Sequence, residues 1–346
     1  MAYTTIDKSS LHFNTKLYTG NGANNHAITG VGFAPDFTWI KARANTYDHM
    51  IFDSLRGTNV FRYGIRSNLN GAQDTGGNSD LLTLDSDGFT LGTGGYVNNS
   101  VTFASWNWKA GTTSGISAGS QTITPSSYSI NTTAGFGIYK WSRTGASTTD
   151  YFSHGLGATP TIAIQKRTDG AQDWYVNTTI IDGTNDNLHL NNTNVKEDDS
   201  TNVPTSTNYY PKSPETGDYI TYLFTPKQGY SSFGKYLGNG NANGSFIYTG
   251  MKVSWIMIKK VTGSGNAWII NDNKRPTYNG NTGRLEADST GAETSSTGEY
   301  AVDLLSNGFK FKGTGGGINS SGETYIYMAF AEAPLVGSNN VPATAR

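Results

Sequence analysis

The stretch Tyr325-Ile326-Tyr327-Met328-Ala329-Phe330 carries an apolar or aromatic side chain at every position. Successive side chains of a β-strand point to opposite faces of the sheet, so this stretch would present an apolar surface to each side. One face carries Tyr325, Tyr327 and Ala329, and the other carries Ile326, Met328 and Phe330. Such a run predicts a central strand that is covered on both sides.

Stretches of the same kind occur at residues 103–108 and 219–224, and each closes a longer segment of similar plan. Upstream, Phe37-Thr38-Trp39-Ile40-Lys41 has the strand period and parallels Trp255-Ile256-Met257-Ile258-Lys259. The middle segment has Ile162-Ala163-Ile164-Gln165-Lys166 at this place and lacks Trp-Ile-Lys. We therefore predict an all-β chain of three related antiparallel β-sandwich units in tandem, of jelly-roll or lectin-like type.

Glycine-containing pairs recur at matching places in the first and third segments. Tyr18-Thr19-Gly20-Asn21-Gly22 parallels Tyr236-Leu237-Gly238-Asn239-Gly240, and Leu84-Asp85-Ser86-Asp87-Gly88-Phe89 parallels Leu304-Leu305-Ser306-Asn307-Gly308-Phe309. Asn-Gly and Asp-Gly supply the positive φ angles that tight hairpins need. We expect a hairpin turn at each of these four pairs.

The spacing of these landmarks divides the chain into six segments. The Gly/Ser/Thr-rich composition of residues 111–133 is typical of a linker, and the end of the chain resembles a frayed tail. The predicted segments are an N-terminal docking segment (1–17), a first repeat (18–110), a linker (111–133), a diverged second repeat (134–228), a third repeat (229–336) and a tail (337–346).

The composition of the 346 residues fits this fold and excludes several classes of protein. The 43 glycines, together with abundant Asn, Thr, Ser and Tyr, disfavour helix interiors and favour strands and turns. With a net charge of -1 and no basic stripe, nucleic acid is not an expected partner. No apolar run approaches a membrane span, no signal peptide is visible, and the absence of cysteine excludes disulfides.

Possible metal sites have simpler explanations in the sequence. Asp85-Ser86-Asp87-Gly88 resembles the opening of a calcium loop, but no bidentate Glu follows and Leu305 replaces Asp85 in the third repeat. We interpret this stretch as a turn, and Glu197-Asp198-Asp199 as a solvated loop. The five histidines lack ligand spacing, and His154 is interpreted as a structural or surface residue. No metal site and no cofactor are predicted.

Catalytic motifs are also lacking, since no G-x-S-x-G elbow occurs and the Glu residues lie mostly in polar loops. No catalytic residue is predicted, although carboxylates from separate strands could still meet in space. The motif Asp53-Ser54-Leu55-Arg56-Gly57 has two interpretations: an ion pair that holds a loop, or a pair that faces a ligand.

Aromatic residues in loops are the candidates for surface binding, because Tyr and Trp stack on sugars and fill protein pockets at low entropic cost. Residues 183–218 depart most from the repeat pattern and are where specificity would be expected. The candidate surface-binding residues are Tyr96, Trp174, Tyr209, Tyr210 and Tyr278.

The chain resembles virion-associated structural and tail-fibre-like proteins of marine tailed bacteriophages. The resemblance rests on motifs along nearly the whole chain: Phe33-Ala34-Pro35-Asp36-Phe37-Thr38-Trp39-Ile40-Lys41, Phe52-Asp53-Ser54-Leu55-Arg56-Gly57, Trp106-Asn107-Trp108-Lys109-Ala110-Gly111 and Tyr325-Ile326-Tyr327-Met328-Ala329-Phe330-Ala331-Glu332-Ala333-Pro334. It implies a place in a phage particle, made in the host cytoplasm, and carries over no catalytic residues.

The sequence thus predicts a non-catalytic virion protein on the particle surface, as tail fibre, receptor-binding protein or capsid knob or decoration, that attaches to the host. A tail-associated glycan-degrading enzyme and a lectin-like carbohydrate-binding module remain alternatives. Expected partners are other virion proteins, further copies of the chain in a homo-oligomer, with a trimer favoured, and a host cell-surface glycan.

Overall fold

The computed structural model describes residues 3–57, 63–75, 80–117, 121–145, 149–212, 215–276, 278–280, 283–295, 298–336 and 342–343. It confirms an all-β sandwich fold made of antiparallel sheets. We group the strands into three units in chain order. The residue boundaries of the predicted repeats stay a prediction, and residues 337–341 and 344–346 of the predicted tail lie outside the described residues.

Unit one comprises β1 (Phe13–Thr19), β2 (His26–Thr29), β3 (Phe37–Ala42), β4 (Met50–Asp53), β5 (Ile65–Arg66), β6 (Leu81–Asp85), β7 (Gly88–Leu91), the short helix α1 (Gly95–Asn98) and β8 (Thr102–Trp108), after a 3₁₀ turn at Ser9–Leu11. Unit two comprises β9 (Ser127–Asn131), β10 (Phe136–Arg143), β11 (Phe152–Ser153), β12 (Ile162–Arg167), β13 (Tyr175–Thr178), β14 (Asp186–His189), β15 (Glu197–Asp198), β16 (Asn208–Tyr209) and β17 (Gly217–Phe224). Unit three comprises β18 (Ser231–Leu237), β19 (Phe246–Tyr248), β20 (Met251–Lys260), β21 (Ile269–Asp272), β22 (Gly283–Glu286), β23 (Thr294–Ser295), β24 (Val302–Leu305), β25 (Gly308–Phe311) and β26 (Thr324–Pro334).

Each unit has one large sheet, and the three large sheets share a strand order. The orders are β1-β8-β3-β4-β5, β9-β10-β17-β12-β13-β14-β15 and β18-β26-β20-β21-β22-β23. In each, the last strand of the unit lies between its first long strand and its middle strand. A smaller sheet accompanies each large one: β2-β7-β6, β11-β16 and β19-β25-β24.

Both faces of the large sheets are buried. In β26, Tyr325, Tyr327 and Ala329 pack towards the small sheet of unit three. The other face, which carries Ile326, Met328 and Phe330, joins an apolar cluster that contains residues from all three units. The two-faced burial predicted for this strand is therefore confirmed, and the second face packs against the other two units.

Three aromatic side chains at matching positions meet in the shared cluster. Trp108, Phe224 and Phe330 occupy the same register position, opposite Phe37, Ile162 and Trp255 respectively. The ring centroid of Trp108 lies 5.4 Å from that of Phe330 and 6.4 Å from that of Phe224, and Phe224 and Phe330 are 6.1 Å apart. The three large sheets thus pack around a common aromatic core with approximate threefold arrangement.

Side-chain hydrogen bonds at matching places link each unit to the next around this core. Trp174 of unit two donates from its indole Nε1 to the carbonyl of Arg66 in unit one, at 2.9 Å. Trp268 of unit three donates in the same way to the carbonyl of His189 in unit two, at 2.7 Å. The third crossing is made by Ser67 of unit one, whose hydroxyl donates to the carbonyl of Ala287 in unit three at 2.7 Å. The imidazole of His49, which precedes β4 as Trp174 precedes β13, lies near the backbone of Glu286 in unit three.

Two segments differ from the sequence prediction. The predicted linker, 111–133, contains β9, which pairs with β10 and bridges through Ile130 to Thr112. In the predicted docking segment, Tyr3 donates a hydrogen bond from its hydroxyl to the carbonyl of Gly250, and Thr4 donates to that of Gln228. Residues 3–17 are thus part of the folded body, with Tyr3 and Thr4 held against Gly250 and Gln228 and residues 13–17 in β1 of unit one.

The predicted hairpins are partly correct. Strands β6 and β7 form one hairpin and β24 and β25 form another, with Asp85 opposite Gly88 and Leu305 opposite Gly308. At Asn21-Gly22 and Asn239-Gly240 the hairpin prediction is wrong, because β1 and β2, like β18 and β19, belong to different sheets. The chain crosses between the two layers of the sandwich there.

Candidate functional site

The five candidate aromatic residues do not form one site. Trp174 and Tyr209 are fully buried, so their prediction as surface contacts is wrong. Trp174 serves the interface between units one and two, as described above, and Tyr209 packs on Phe152 inside the second sandwich at 5.4 Å. Tyr278 is 84% exposed.

Tyr210 lies beside a shallow cavity of unit two. Its ring centroid is 5.5 Å from that of Tyr151, which lines a cavity of about 420 Å³ together with Ile116 and Asn208. His154 nearby is structural, since its Nδ1 accepts the backbone amide of Leu156 at 3.1 Å. Its other ring nitrogen lies 3.1 Å from the carbonyl of Thr205.

Tyr96 lines a larger pocket of about 600 Å³ at the boundary of units one and three. Helix α1, which contains Tyr96, follows the Gly-rich turn after β7, and this turn faces the loop between β3 and β4. The described lining residues are Thr46, Tyr47, Asp48, Asp80, Thr93, Gly94, Gly95, Tyr96, Asn99 and, from unit three, Thr290.

The aromatic wall of the pocket is held by hydrogen bonds. The rings of Tyr47 and Tyr96 meet edge to face with centroids 6.2 Å apart. The hydroxyl of Tyr47 accepts hydrogen bonds from Asn99 at 2.6 Å and from Asn45 at 3.2 Å. The guanidinium of Arg66 lies 5.1 Å from the centroid of the Tyr96 ring, an arrangement that favours cation–π attraction.

Asp80 is the unusual group of this pocket. Its side chain is 3% exposed, and its Oδ1 has no hydrogen-bond partner among the described residues. Burial, together with the neighbouring carboxylate of Asp74, raises the pKa of Asp80 to about 6, against the opposing effect of Arg66. Leaving such a buried acceptor unpaired costs about 1–3 kcal/mol.

The other carboxylate of the pocket is already paired. Asp48 accepts a hydrogen bond from Asn68 at 2.6 Å and lies 3.2 Å from Nε of Arg66. Asp80 is therefore the lining carboxylate with an unpaired oxygen among the described residues. The sequence analysis found Tyr96 but missed Tyr47 and Asp80.

An acidic cluster elsewhere already has its own counter-charge. Asp182, Asp186 and Asp198 come close enough to hold a cation. The ammonium of Lys196 lies between them, at 2.9, 2.7 and 2.8 Å from the three carboxylates. The lysine occupies the place that a metal ion would take.

The Asp53–Arg56 motif holds a loop, as one of its two interpretations predicted. Oδ2 of Asp53 lies 2.6 Å from Nε of Arg56, and both side chains are buried. Asp272 and Arg275 repeat this geometry in unit three. Both carboxylates also bind the neighbouring unit, since Tyr222 donates to Asp53 at 2.7 Å and Trp106 donates to Asp272 at 3.0 Å.

The stretch Asp85-Ser86-Asp87-Gly88, interpreted from the sequence as a turn, forms the turn of the β6–β7 hairpin. The carboxylate of Asp87 accepts the backbone amides of Gly30 and Gly32, at 3.0 and 2.6 Å, and Asp85 accepts the hydroxyl of Thr90 at 2.7 Å. The two contacts of Asp87 anchor the β6–β7 hairpin to the loop after β2, and the contact of Asp85 lies within the hairpin. No helix in the described part of the chain has the length and apolarity of a membrane span.

Comparison with known proteins identifies a family and no characterised relative. The model of a family described as a domain of unknown function, DUF7483, matches residues 8–334. No curated protein and no solved structure matches the chain.

Proposed function

The chain belongs to the DUF7483 family, and we propose that it is a structural protein on the surface of a tailed-phage particle that attaches to the host without catalysis. As a fibre, a receptor-binding protein or a capsid knob, it would present loops on a stiff body. The motifs along nearly the whole chain that resemble phage virion proteins support the phage assignment.

The observation that carries the proposal is the shared aromatic core. Trp108, Phe224 and Phe330 bind the three units into one body, and both faces of the large sheets are buried. A displayed virion protein must hold its loops in fixed positions against mechanical load, and packing that leaves little room for hinge motion serves this purpose.

The distribution of charged groups supports a role without catalysis. The buried pairs Asp53–Arg56 and Asp272–Arg275 hold loops, and Lys196 compensates the acidic cluster of unit two. The two ion pairs are buried, and the carboxylates of the acidic cluster are neutralised by Lys196, so these groups have structural explanations that need no catalysis.

Detection in particles tests the proposal directly. Antibodies against the purified protein, applied to purified particles that encode it, should label the particle surface in electron micrographs, and mass spectrometry of the particles should find the polypeptide. Particles that lack the polypeptide would overturn the proposal. Release of reducing ends from host glycans by the pure protein would favour the glycan-degrading enzyme instead.

A homo-oligomer, with a trimer expected, is part of this proposal. Strand β19 is an edge of its small sheet, and it exposes Phe246 and Tyr248 at 46% and 59%. Exposed apolar edges of this kind are commonly covered by another copy. Light scattering after size-exclusion chromatography should give the mass of three chains, and a monomer at high concentration would contradict this.

The lectin-like carbohydrate-binding module is a second candidate, and the pocket with Tyr47, Asp80 and Tyr96 favours it. A module of this kind binds sugars as a free protein and needs no particle. Purified particles separate the two candidates, since only the virion protein is found in them.

A further inference from the structure

Units one and three each contain a loop of the same backbone geometry but with different side chains. Comparing the two loops shows which residues are specific to the pocket of unit one. The amides of Val97 and Asn98 turn back to the carbonyl of Gly94, as those of Ile318 and Asn319 turn back to Gly315. By this register Tyr96 corresponds to Gly317. Because the two loops have the same backbone geometry, any difference between their surroundings comes from the side chains.

Asp80 also has a counterpart in unit three. The carbonyl of Asp80 accepts the amide of Gly92, and the carbonyl of Ala301 accepts the amide of Lys312. Leu81 and Val302, the next residues, lie opposite Leu91 and Phe311. The fold therefore accommodates alanine where unit one has a buried carboxylate. Folding alone does not explain Asp80.

In unit three an aromatic ring covers the corresponding loop. A Cβ on Gly315 would lie 2.9 Å from the ring of Tyr300, and one on Gly317 would lie 3.1 Å from it. The guanidinium of Arg284 lies over the same Tyr300 ring, 3.8 Å from its centroid. In unit one, by contrast, the loop borders a cavity of about 600 Å³.

We propose that this pocket binds one neutral or amino-bearing hexose unit of a glycan, with Asp80 accepting hydrogen bonds from sugar hydroxyls and Tyr47 and Tyr96 supplying the apolar walls. The inference deepens the proposed role in host attachment and rests on it for its biological setting. The geometry itself stands on the cavity, the unpaired buried acceptor and the contrast with unit three.

The chemistry of the lining selects this class of ligand. A sugar ring has an apolar C–H face that packs on aromatic rings, and its hydroxyls donate to carboxylates. The volume lies within the 300–1,000 Å³ that small-ligand sites occupy. The described lining residues include Asp48 and Asp80 and no Lys or Arg. Arg66 next to the pocket is already paired with Asp48 and Asp74, at 3.2 and 2.9 Å, so the carboxylates of sialic and uronic acids would be repelled by Asp80.

The test compares the protein with variants that install the residues of unit three. Ligand-observed saturation-transfer NMR uses methyl glycosides of glucose, galactose, mannose, glucosamine and N-acetylglucosamine, with glucuronic acid as the anionic probe. At least one of the first five should bind, and glucuronic acid should not. Asp80→Ala and Tyr96→Gly should each weaken binding by at least about tenfold, which equals 1.4 kcal/mol.

Thermal unfolding shows whether a variant that binds weakly is still folded. Asp80→Ala removes an unpaired buried carboxylate, so its Tm should equal or exceed that of the wild type. Leu237→Ala, at a position of β18 in unit three that is 59% exposed, is the control and should bind as the wild type does. Unchanged affinity in Asp80→Ala, a loss of stability in that variant, or no binding of any neutral or amino sugar would each overturn the inference. Detection of the polypeptide in particles would be unaffected by these outcomes, so the two proposals fail separately.

Discussion

At the residue scale, the buried ion pairs are the interactions whose loss should cost most. Asp272 binds Arg275 in its own unit and Trp106 of unit one, with all three side chains buried. Changing Asp272 to Ala would leave the buried guanidinium with only the carboxylate of Glu293, which is 3.7 Å away and already paired with Arg43. We expect a loss of about 3–5 kcal/mol in the free energy of unfolding.

Urea unfolding followed by tryptophan fluorescence measures this loss. Asp169→Ala is the matched control, because Asp169 pairs with Arg167 at 2.8 Å but the two side chains are 41% and 20% exposed. The control should lose less than about 1 kcal/mol. Equal losses in the two variants would show that burial does not set the strength of the Asp272 pair.

Three lysines at one register position give the protein a measurable pH dependence. Lys41, Lys166 and Lys259 are buried, and burial lowers the pKa of each to about 8. An unfolded lysine keeps its proton up to about pH 10.4. The unfolded state therefore binds more protons between these values, and stability should rise with pH there by up to about 1.4 kcal/mol per unit for each lysine.

Lys259→Met isolates one of these contributions. Urea midpoints at about pH 7.5 and about pH 9.0, which is about one unit below the pKa of an unfolded tyrosine, should rise in the wild type. The rise should be smaller in the variant than in the wild type, whatever the absolute stability of the variant. The same slope in both proteins would contradict the lowered pKa of Lys259.

There are physical reasons why the sequence did not reveal the positions of Trp174 and Asp80. Trp174 stands in a polar loop sequence, yet it packs between two units because its indole completes a cycle of interfacial hydrogen bonds. Asp80 escaped notice because the register of β6 and β7 shifts between Leu81 and Thr83. An ungapped comparison of the repeats then places Asp80 opposite Tyr300, and the exchange of carboxylate for alanine is hidden.

At the element scale, one close approach explains why both small-sheet hairpins begin their second strand with glycine. A Cβ on Gly308 would lie 2.0 Å from the carbonyl oxygen of Ile247, and one on Gly88 would lie 2.0 Å from that of Ile28. Strands β19 and β2 thus lie too close for any side chain. Gly308→Ala should force β19 away and cost about 1–3 kcal/mol.

Differential scanning fluorimetry can detect this cost, with Gly71→Ala as the control. A Cβ on Gly71 would meet no heavy atom within 4 Å, and its φ lies outside the left-handed region. The Tm of Gly308→Ala should fall clearly below that of the control. If both variants kept the wild-type Tm, the close pairing of β19 with β25 would be contradicted.

Elements with strong apolar periodicity could be predicted from the sequence, and those with polar composition could not. The two faces of β26 follow from alternation alone. Strand β9 lies in Ser127-Tyr128-Ser129-Ile130-Asn131, where polar residues suit an edge strand as well as a linker. The pairs Asn21-Gly22 and Asn239-Gly240 supply a turn, but the pair does not determine whether the turn joins two strands of one sheet or crosses between sheets.

At the scale of the whole molecule, the repeats suggested separate sandwiches, and the structure joins them. One face of each large sheet packs against the small sheet of its own unit, and the other face is also apolar. The local sequence does not tell whether this second face is covered by another sheet of the same unit or by a different unit. Only the register that brings Trp108, Phe224 and Phe330 together identifies the partner. Long-range packing of this kind has no signal in the sequence of one segment.

The central claim is that the three units share one core and therefore unfold together. Scanning calorimetry of the full chain and of Phe224→Ala tests it most directly. We predict a single transition for both proteins, in which the substitution lowers the temperature of the whole transition, because removing a buried phenylalanine costs about 3–5 kcal/mol. Separate transitions, of which the substitution shifts only one, would contradict the shared core.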